Sequence, residues 1–404
     1  MNTIFRSAAM RRIGGYSTTV LAGAALVACG GGGSSTAQGT LRLALTDAPA
    51  CGYDHVYITV DKVRVHTSAT AQDNDAGWQE LTVQPRQRLD LLALTNGVLQ
   101  ELGSLPLPAG QYQQMRLVLA DNVAGQALAN AVVATGSAQE VPLTTPSGQQ
   151  SGTKLQAHFE ITGGQVADLV LDFDACKSLV SAGASGRIHL KPVVAVTPRL
   201  TTQIVGYVDP AQASGVVVST RDPDQRWRAT VPDANGRFVL AYLPENTRYT
   251  VVMSGSKLAT TVVTGVPVSS ALGTTTLNTP ATPVTLAVSD VASVSGLVGN
   301  AQGLRLTDAE VTARQELSGG EVLELASQMV DPLQARYTLT LPRQAPRVAT
   351  YAAGLPLVFA ADTAVAGRYR LLAQAPGYTQ LLGSGAFTLG AEGSTTALDL
   401  VLAP

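Results

Sequence analysis

Charge is scarce in this 404-residue sequence: Asp, Glu, Lys and Arg make up 14% of it, against roughly 25% in an average globular protein. The 27 basic residues nearly balance 29 acidic ones. A nucleic-acid partner needs a basic footprint that releases phosphate counterions, and no basic cluster is present, so nucleic acid is excluded as a partner. Histidine is limited to His55, His66, His158 and His189. No His-Glu-x-x-His, Gly-x-Ser-x-Gly or Gly-Lys-Ser/Thr phosphate loop occurs, so the sequence predicts no enzyme, no catalytic residues, no cofactor and no metal. Long hydrophobic runs are missing as well: the run Val20 to Val27 would rise about 12 Å as a helix, far short of the ~30 Å hydrocarbon core. Bulk disorder is equally excluded, because 45% of residues are apolar and the net charge is -2.

What is present at the N-terminus has an order. Arg6, Arg11 and Arg12 precede the apolar run, which ends in Leu26-Val27-Ala28-Cys29, followed by Gly30 to Gly33, Ser34 and Ser35. This reads as an export signal with a flexible tether behind it. The tetrapeptide resembles the lipobox of bacterial lipoproteins, which implies that residues 1–28 are removed and that Cys29 is lipidated as the new first residue. Two or more acyl chains anchor stably where one is marginal. Gly30 in place of Asp implies, by resemblance to Gram-negative sorting, the outer membrane. The expected location is therefore the cell outer membrane, reached through a lipid anchor, with the chain facing the periplasm or the surface. Removing residues 1–28 takes three arginines and no acid, which leaves a net charge of -5. Cys51 and Cys176 then form an even pair in an oxidising compartment, and a disulfide is the economical reading. It would close a loop of about 125 residues, worth roughly 4 to 5 kcal/mol in the chain-entropy account.

Beyond the tether, residues 29–39, the chain alternates apolar and polar residues between Gly, Pro, Asn and Asp, the period of strands. Leu41, Leu43 and Leu45 share one face, and Leu155 to Ile161 alternates in the same way. Between Val56 and His66 the apolar phase shifts by one after Val60, which predicts a bulge at Asp61-Lys62. The nearest helical period, Leu89 to Leu102, is broken by Asn96-Gly97. The C-terminal half contains a duplication. Ile204-Val205-Gly206-Tyr207-Val208, then Phe238 to Pro244, then Tyr249 to Val252, is echoed by Val294-Ser295-Gly296-Leu297-Val298, then Tyr337 to Pro342, then Tyr369 to Ala373. Two copies predict two small antiparallel sandwiches, at 199–290 and 291–404, in each of which the glycine marks a close backbone approach.

These copies resemble carboxypeptidase regulatory-like (transthyretin-related) modules, which implies immunoglobulin-like β-sandwiches and, by analogy of fold alone, carbohydrate binding. The first module is more distinctive. Leu43 to Pro49, Val56 to His66, Leu107 to Leu117 and Leu190-Lys191-Pro192 resemble domain of unknown function 4382, over residues 40–198. That resemblance implies exported lipoproteins and carries no chemistry. The fold expected is all-β: a sandwich-like N-terminal module followed by two sandwich repeats.

Candidate binding residues are few. Asp168, Asp172 and Asp174 share a strand face, Asp73-Asn74-Asp75 forms an acidic loop, and Asp47 and Asp54 flank Cys51. Calcium takes oxygen ligands of this kind, but none of these groups has the spacing of an EF-hand loop, and a solvated face or turn explains them at less cost. His66, His158 and His189 read as solvent-side strand residues. Trp78 and Trp227 are the candidate glycan-binding residues, because a flat ring stacks on a pyranose; core packing is the competing and better-supported reading for both. The expected function is a non-enzymatic, lipid-anchored cell-envelope protein that presents β-sandwich modules. Its partners are the membrane and a glycan or another envelope protein, and the alternative is a carbohydrate-binding surface lipoprotein.

Overall fold

The structure, a computed structural model, describes residues 37–48, 52–145, 152–155, 157–181, 187–379, 381–382 and 385–403. The chain is all-β, with one four-residue α-helix and short 3-10 turns among the described residues. None of its described helices is long and apolar enough to cross a membrane.

Module one is organised around β1 (Gln38–Ala48), β2 (Tyr53–His66), β3 (Gln100–Pro108), β4 (Gln114–Leu119), β5 (Val166–Asp174), the helix α1 (Ala175–Ser178) and β6 (Val194–Pro198). One sheet runs in the order β6, β5, β1, β3; a larger one is built on the antiparallel pair β2 and β4. Leu41, Leu43 and Leu45 of β1 and Leu169, Leu171 and Phe173 of β5 point into the core between them. Each such side chain contributes about 1.5 to 3 kcal/mol by leaving water. The expected bulge is present: the β2–β4 register shifts between Val60 and Lys62, and Val56, Ile58, Val60, Val63 and Val65 are all buried. Leu155 to Ile161 does not form one strand. Thr153–Leu155 and Phe159–Ile161 pair with different partners, Leu155 with β4 and Phe159 with Tyr112.

Module two comprises β7 (Gln203–Tyr207), β8 (Val216–Arg221), β9 (Trp227–Thr230), β10 (Arg237–Leu240), β11 (Thr247–Gly255), β12 (Thr261–Val268) and β13 (Thr274–Thr276). Module three comprises β14 (Val291–Asn300), β15 (Glu310–Glu316), β16 (Val322–Met329), β17 (Arg336–Pro342), β18 (Arg347–Thr350), β19 (Ala360–Ala361), β20 (Arg368–Gln374) and β21 (Thr395–Ala397). Modules two and three share elements of register. Gly206 lies opposite Phe238 and Gly296 opposite Tyr337, while β7 and β14 each take a parallel neighbour, β13 and β21. A Cβ on Gly206 would collide with the Phe238 ring, and one on Gly296 with the Leu398 carbonyl. In both copies a buried tyrosine ties the next strand to the Leu-Pro end: Tyr249 donates to the Pro244 carbonyl at 2.7 Å and Tyr369 to that of Pro342 at 2.6 Å.

One segment leaves its own repeat. β18 pairs in parallel with β12 of module two, and β19 continues that sheet beyond it, giving the order β9, β8, β11, β12, β18, β19. Tyr351, Leu357 and Phe359 pack against the core of module two. A small apolar cluster of Val252, Val262, Leu317 and Leu323 joins the two repeats. Residues 37–404 therefore form a single compact unit.

Candidate functional site: the seam between modules

β1 and β5 run side by side in parallel and end together, with Thr46 opposite Asp172 and Ala48 opposite Asp174. Their alternation continues past the leucines. Asp47 falls on the same face as Leu45 and is 3% exposed, with neither carboxylate oxygen hydrogen-bonded. Burial, reinforced by Asp174 and Asp172, pushes its pKa well above the ordinary carboxylate range. Asp172 and Asp174 fall on the opposite face, which the sequence reading treats as solvated. The structure corrects this, because module two covers that face. Arg228, itself 4% exposed, donates to Asp172 at 2.5 Å and lies 3.6 Å from Asp222.

Asp174 caps α1 by accepting the Lys177 amide at 3.0 Å. Burial raises its pKa to about 6, against the lowering pull of Lys177. The Lys177 ammonium in turn lies 3.6 Å from both Glu310 and Glu324 of module three. Glu324 also pairs with Arg221 of module two and lies 3.7 Å from Arg314. Burial pushes the Glu310 carboxyl up, but Lys177, Ser327 and Gln374 together hold it below the usual range. The three modules thus share one largely buried ionic network. Such pairs specify an arrangement more than they add net stability, while removing one partner leaves a costly orphaned charge.

A second contact locks module one to module two. Asn96 has φ 59° and Tyr242 φ 56°, left-handed conformations uncommon for residues with a side chain. Asn96 Oδ1 accepts the Val239 amide at 2.9 Å and the Thr230 hydroxyl at 3.1 Å, and the Asn96 amide donates to Thr230 Oγ1 at 2.9 Å. Tyr242 donates to the Gly97 carbonyl at 2.7 Å. The sequence marked Asn96-Gly97 only as a helix breaker; here it is the plug that seats one module on the next. Beside it a cleft of about 530 Å³ opens between the modules, lined by Asp168, Arg199, Gln203, Arg237 and Tyr242 among others.

The residues singled out from sequence lie as follows. Cys29 and Cys51 fall outside the described residues; Cys176 belongs to α1, and its side chain also falls outside them. Trp78 is half-buried, with Arg64 and Arg116 4.6 and 4.8 Å from its ring centroid. Its indole N–H donates to the Gln72 carbonyl at 2.8 Å. The loop before it is pinned to the sheet by the Gln114 amide, which donates to the carbonyls of Ser68, Ala69 and Ala71. Trp227 sits half-buried at the seam, 5.8 Å from Lys177 and 5.9 Å from Arg221. Of its two arginine neighbours, Arg226 is exposed and Arg228 is buried. His66 is buried rather than solvent-side, its Nε2 3.0 Å from the Ala76 carbonyl oxygen. His55 pairs with Asp90 at 2.7 Å and His158 is exposed. Among the described residues no three of His, Cys, Asp and Glu converge as a metal site. Trp78→Ala is expected to cost about 2 to 3 kcal/mol in urea unfolding, as a ring and the cover over two arginines are lost. An unchanged midpoint would leave no anchoring role for Trp78.

The fold and the seam define a multi-module all-β protein whose modules are fixed to one another. Within it, residues 38–192 match the family described as Domain of unknown function (DUF4382), so that domain is present. No curated protein matches the chain. Similar solved structures include a streptococcal ancillary pilin, 13% identical with TM-score 0.19, covering 89% of this chain and 99% of the pilin. The Corynebacterium diphtheriae major pilin SpaA is 10% identical with TM-score 0.21, covering 91% of this chain and 100% of that one. The Lactobacillus rhamnosus GG shaft pilin spaA is 10% identical with TM-score 0.17, covering 50% and 96%.

Proposed function

We propose that this chain is a non-enzymatic, lipid-anchored component of the cell envelope that holds three β-rich modules in fixed register, as a structural or binding element of the outer membrane. The observation that carries the reading is the seam: residues of all three modules share one ion network, and module three lends strands to the sheet of module two. A display protein needs rigidity of this kind, and a catalyst would need a convergent reactive centre. Acylation at Cys29 would anchor the chain and the Gly/Ser tether would give it reach. A Cys51–Cys176 disulfide would brace the end of module one. Register supports it, since Cys51 follows Ala48 by three residues and Cys176 follows Asp174 by two, and Ala48 and Asp174 are direct strand partners. The two repeats would be carboxypeptidase regulatory-like spacers. A second reading, carbohydrate binding, is favoured by the polar inter-module cleft with a tyrosine in its wall.

Mass spectrometry of protein purified from membranes tests the anchoring. The expected spectrum shows an acylated Cys29 at the mature N-terminus and a Cys51–Cys176 peptide that separates only on reduction. A full-length chain with an unmodified leader and three free thiols would overturn it.

A further inference from the structure

The cleft between modules one and two is walled by groups with complementary chemistry. Arg199 is held in place by Glu101 at 2.7 Å and Asp168 at 3.8 Å, and its amide donates to the Asp168 carbonyl at 2.9 Å. Arg237 lines the same cleft, half-buried, and forms no ion pair among the described residues. A guanidinium left without a partner presents a planar fork suited to a carboxylate. Opposite in character is the Asp168 carboxylate in the same wall, whose side chain is 27% exposed. A ligand hydroxyl can donate to a carboxylate so placed. Its negative charge also disfavours a doubly charged phosphate at the same place. Tyr242 supplies an aromatic wall, and Gln203 lines the same cleft. The cleft volume of about 530 Å³ lies within the range of roughly 300 to 1,000 Å³ usual for small-ligand sites, which favour domain boundaries.

We propose that this cleft binds a carboxylate-bearing saccharide, such as a uronic acid unit of a polysaccharide. The sugar carboxylate sits on Arg237, a ring hydroxyl donates to the Asp168 carboxylate, and the apolar ring face rests against Tyr242. The assignment deepens the carbohydrate-binding reading and rests on it. It moves the contact from the two tryptophans to a site that exists only because the modules are docked.

Calorimetric titration of the full chain with trigalacturonate, the matching neutral galactose trisaccharide and citrate tests the proposal. Trigalacturonate is expected to bind and the other two are not, and Arg237→Gln is expected to weaken binding about tenfold or more, a difference of ~1.4 kcal/mol. Asp168→Asn should also weaken it. Arg237→Gln should leave the melting temperature and radius of gyration unchanged, which separates loss of a ligand contact from loss of the seam. No heat with trigalacturonate at ~10 mM, equal binding of the neutral sugar or of citrate, or an unaffected Arg237→Gln would each overturn the proposal. None of these outcomes alters the acylation result at Cys29, so failure here and failure of the anchoring reading are distinguishable.

Discussion

Raising the pH from about 5 to about 7.5 is expected to lower the melting temperature of this protein, the reverse of the usual behaviour of paired carboxylates. Asp174 has a native pKa of about 6, and Asp47 and Asp172 are raised as well. A carboxyl whose native pKa exceeds its unfolded value of about 3.9 holds its proton better when folded, so its contribution is complete below that value and is lost as pH rises through the native pKa. For Asp174 the whole difference amounts to about 3 kcal/mol, lost between about pH 4 and pH 6, so that roughly half of it falls above pH 5. The groups that face it are Lys177, Asp172 and Glu310, with Arg228 behind Asp172. Glu310 acts in the opposite sense: its lowered pKa gives stability that is present above about pH 4.5 and lost on stronger acidification. The maximum should therefore fall near pH 4, where the two effects cross.

Asp174→Asn keeps the helix cap, since Asn caps as well as Asp, and removes the titration. It should raise the melting temperature at pH 7.5 by a few degrees and flatten the profile between about pH 5 and 7.5. Differential scanning calorimetry across that range checks both points. A melting temperature that climbs steadily to neutrality in both proteins would contradict the burial of these carboxylates.

The second large effect is expected at Gly97. A Cβ there would stand 2.9 Å from the Ala241 Cβ, and the φ of 76° lies in the left-handed region. Gly97→Val adds a backbone cost of about 1 to 2 kcal/mol and pushes modules one and two apart where Tyr242 meets the turn. Asn96→Ala acts on the same seam by a different route. It leaves the Val239 amide and the Thr230 hydroxyl without their acceptor, at about 1 to 3 kcal/mol for each buried group. Either variant should increase the radius of gyration in small-angle scattering and open the connection at residues 199–202 to protease. The core of module one, closed by its own two sheets, should stay folded. A scattering curve identical to that of the parent for both variants would show that the turn does not hold the modules together.

The strand pattern was legible because period two survives any partner: Leu41, Leu43 and Leu45 face inward whatever lies across the sheet. The phase shift in β2 and the paired glycines of the repeats were legible for the same reason, since each reports a local backbone requirement. The seam was not. A charged residue on a strand face has the same sequence signature whether water or another module lies opposite, so Asp172 reads as solvated. One signal was available: Asp47 continues the leucine phase of β1, which places a carboxylate on the core side. His66 was misread because the loop that covers it belongs to residues that read as exposed. The parallel pairing of β18 with β12 joins segments about 85 residues apart, and nothing in an apolar stretch names its partner.

That pairing also sets an order of events. Synthesis from the amino end delivers β12 long before β18, so the outer edge of the module two sheet stays open while some eighty further residues are added. An open edge of this kind is the usual point at which neighbouring chains join by mistake. The later repeat therefore serves its predecessor as a closing piece, and a chain cut short after the first repeat would be left with an adhesive flank.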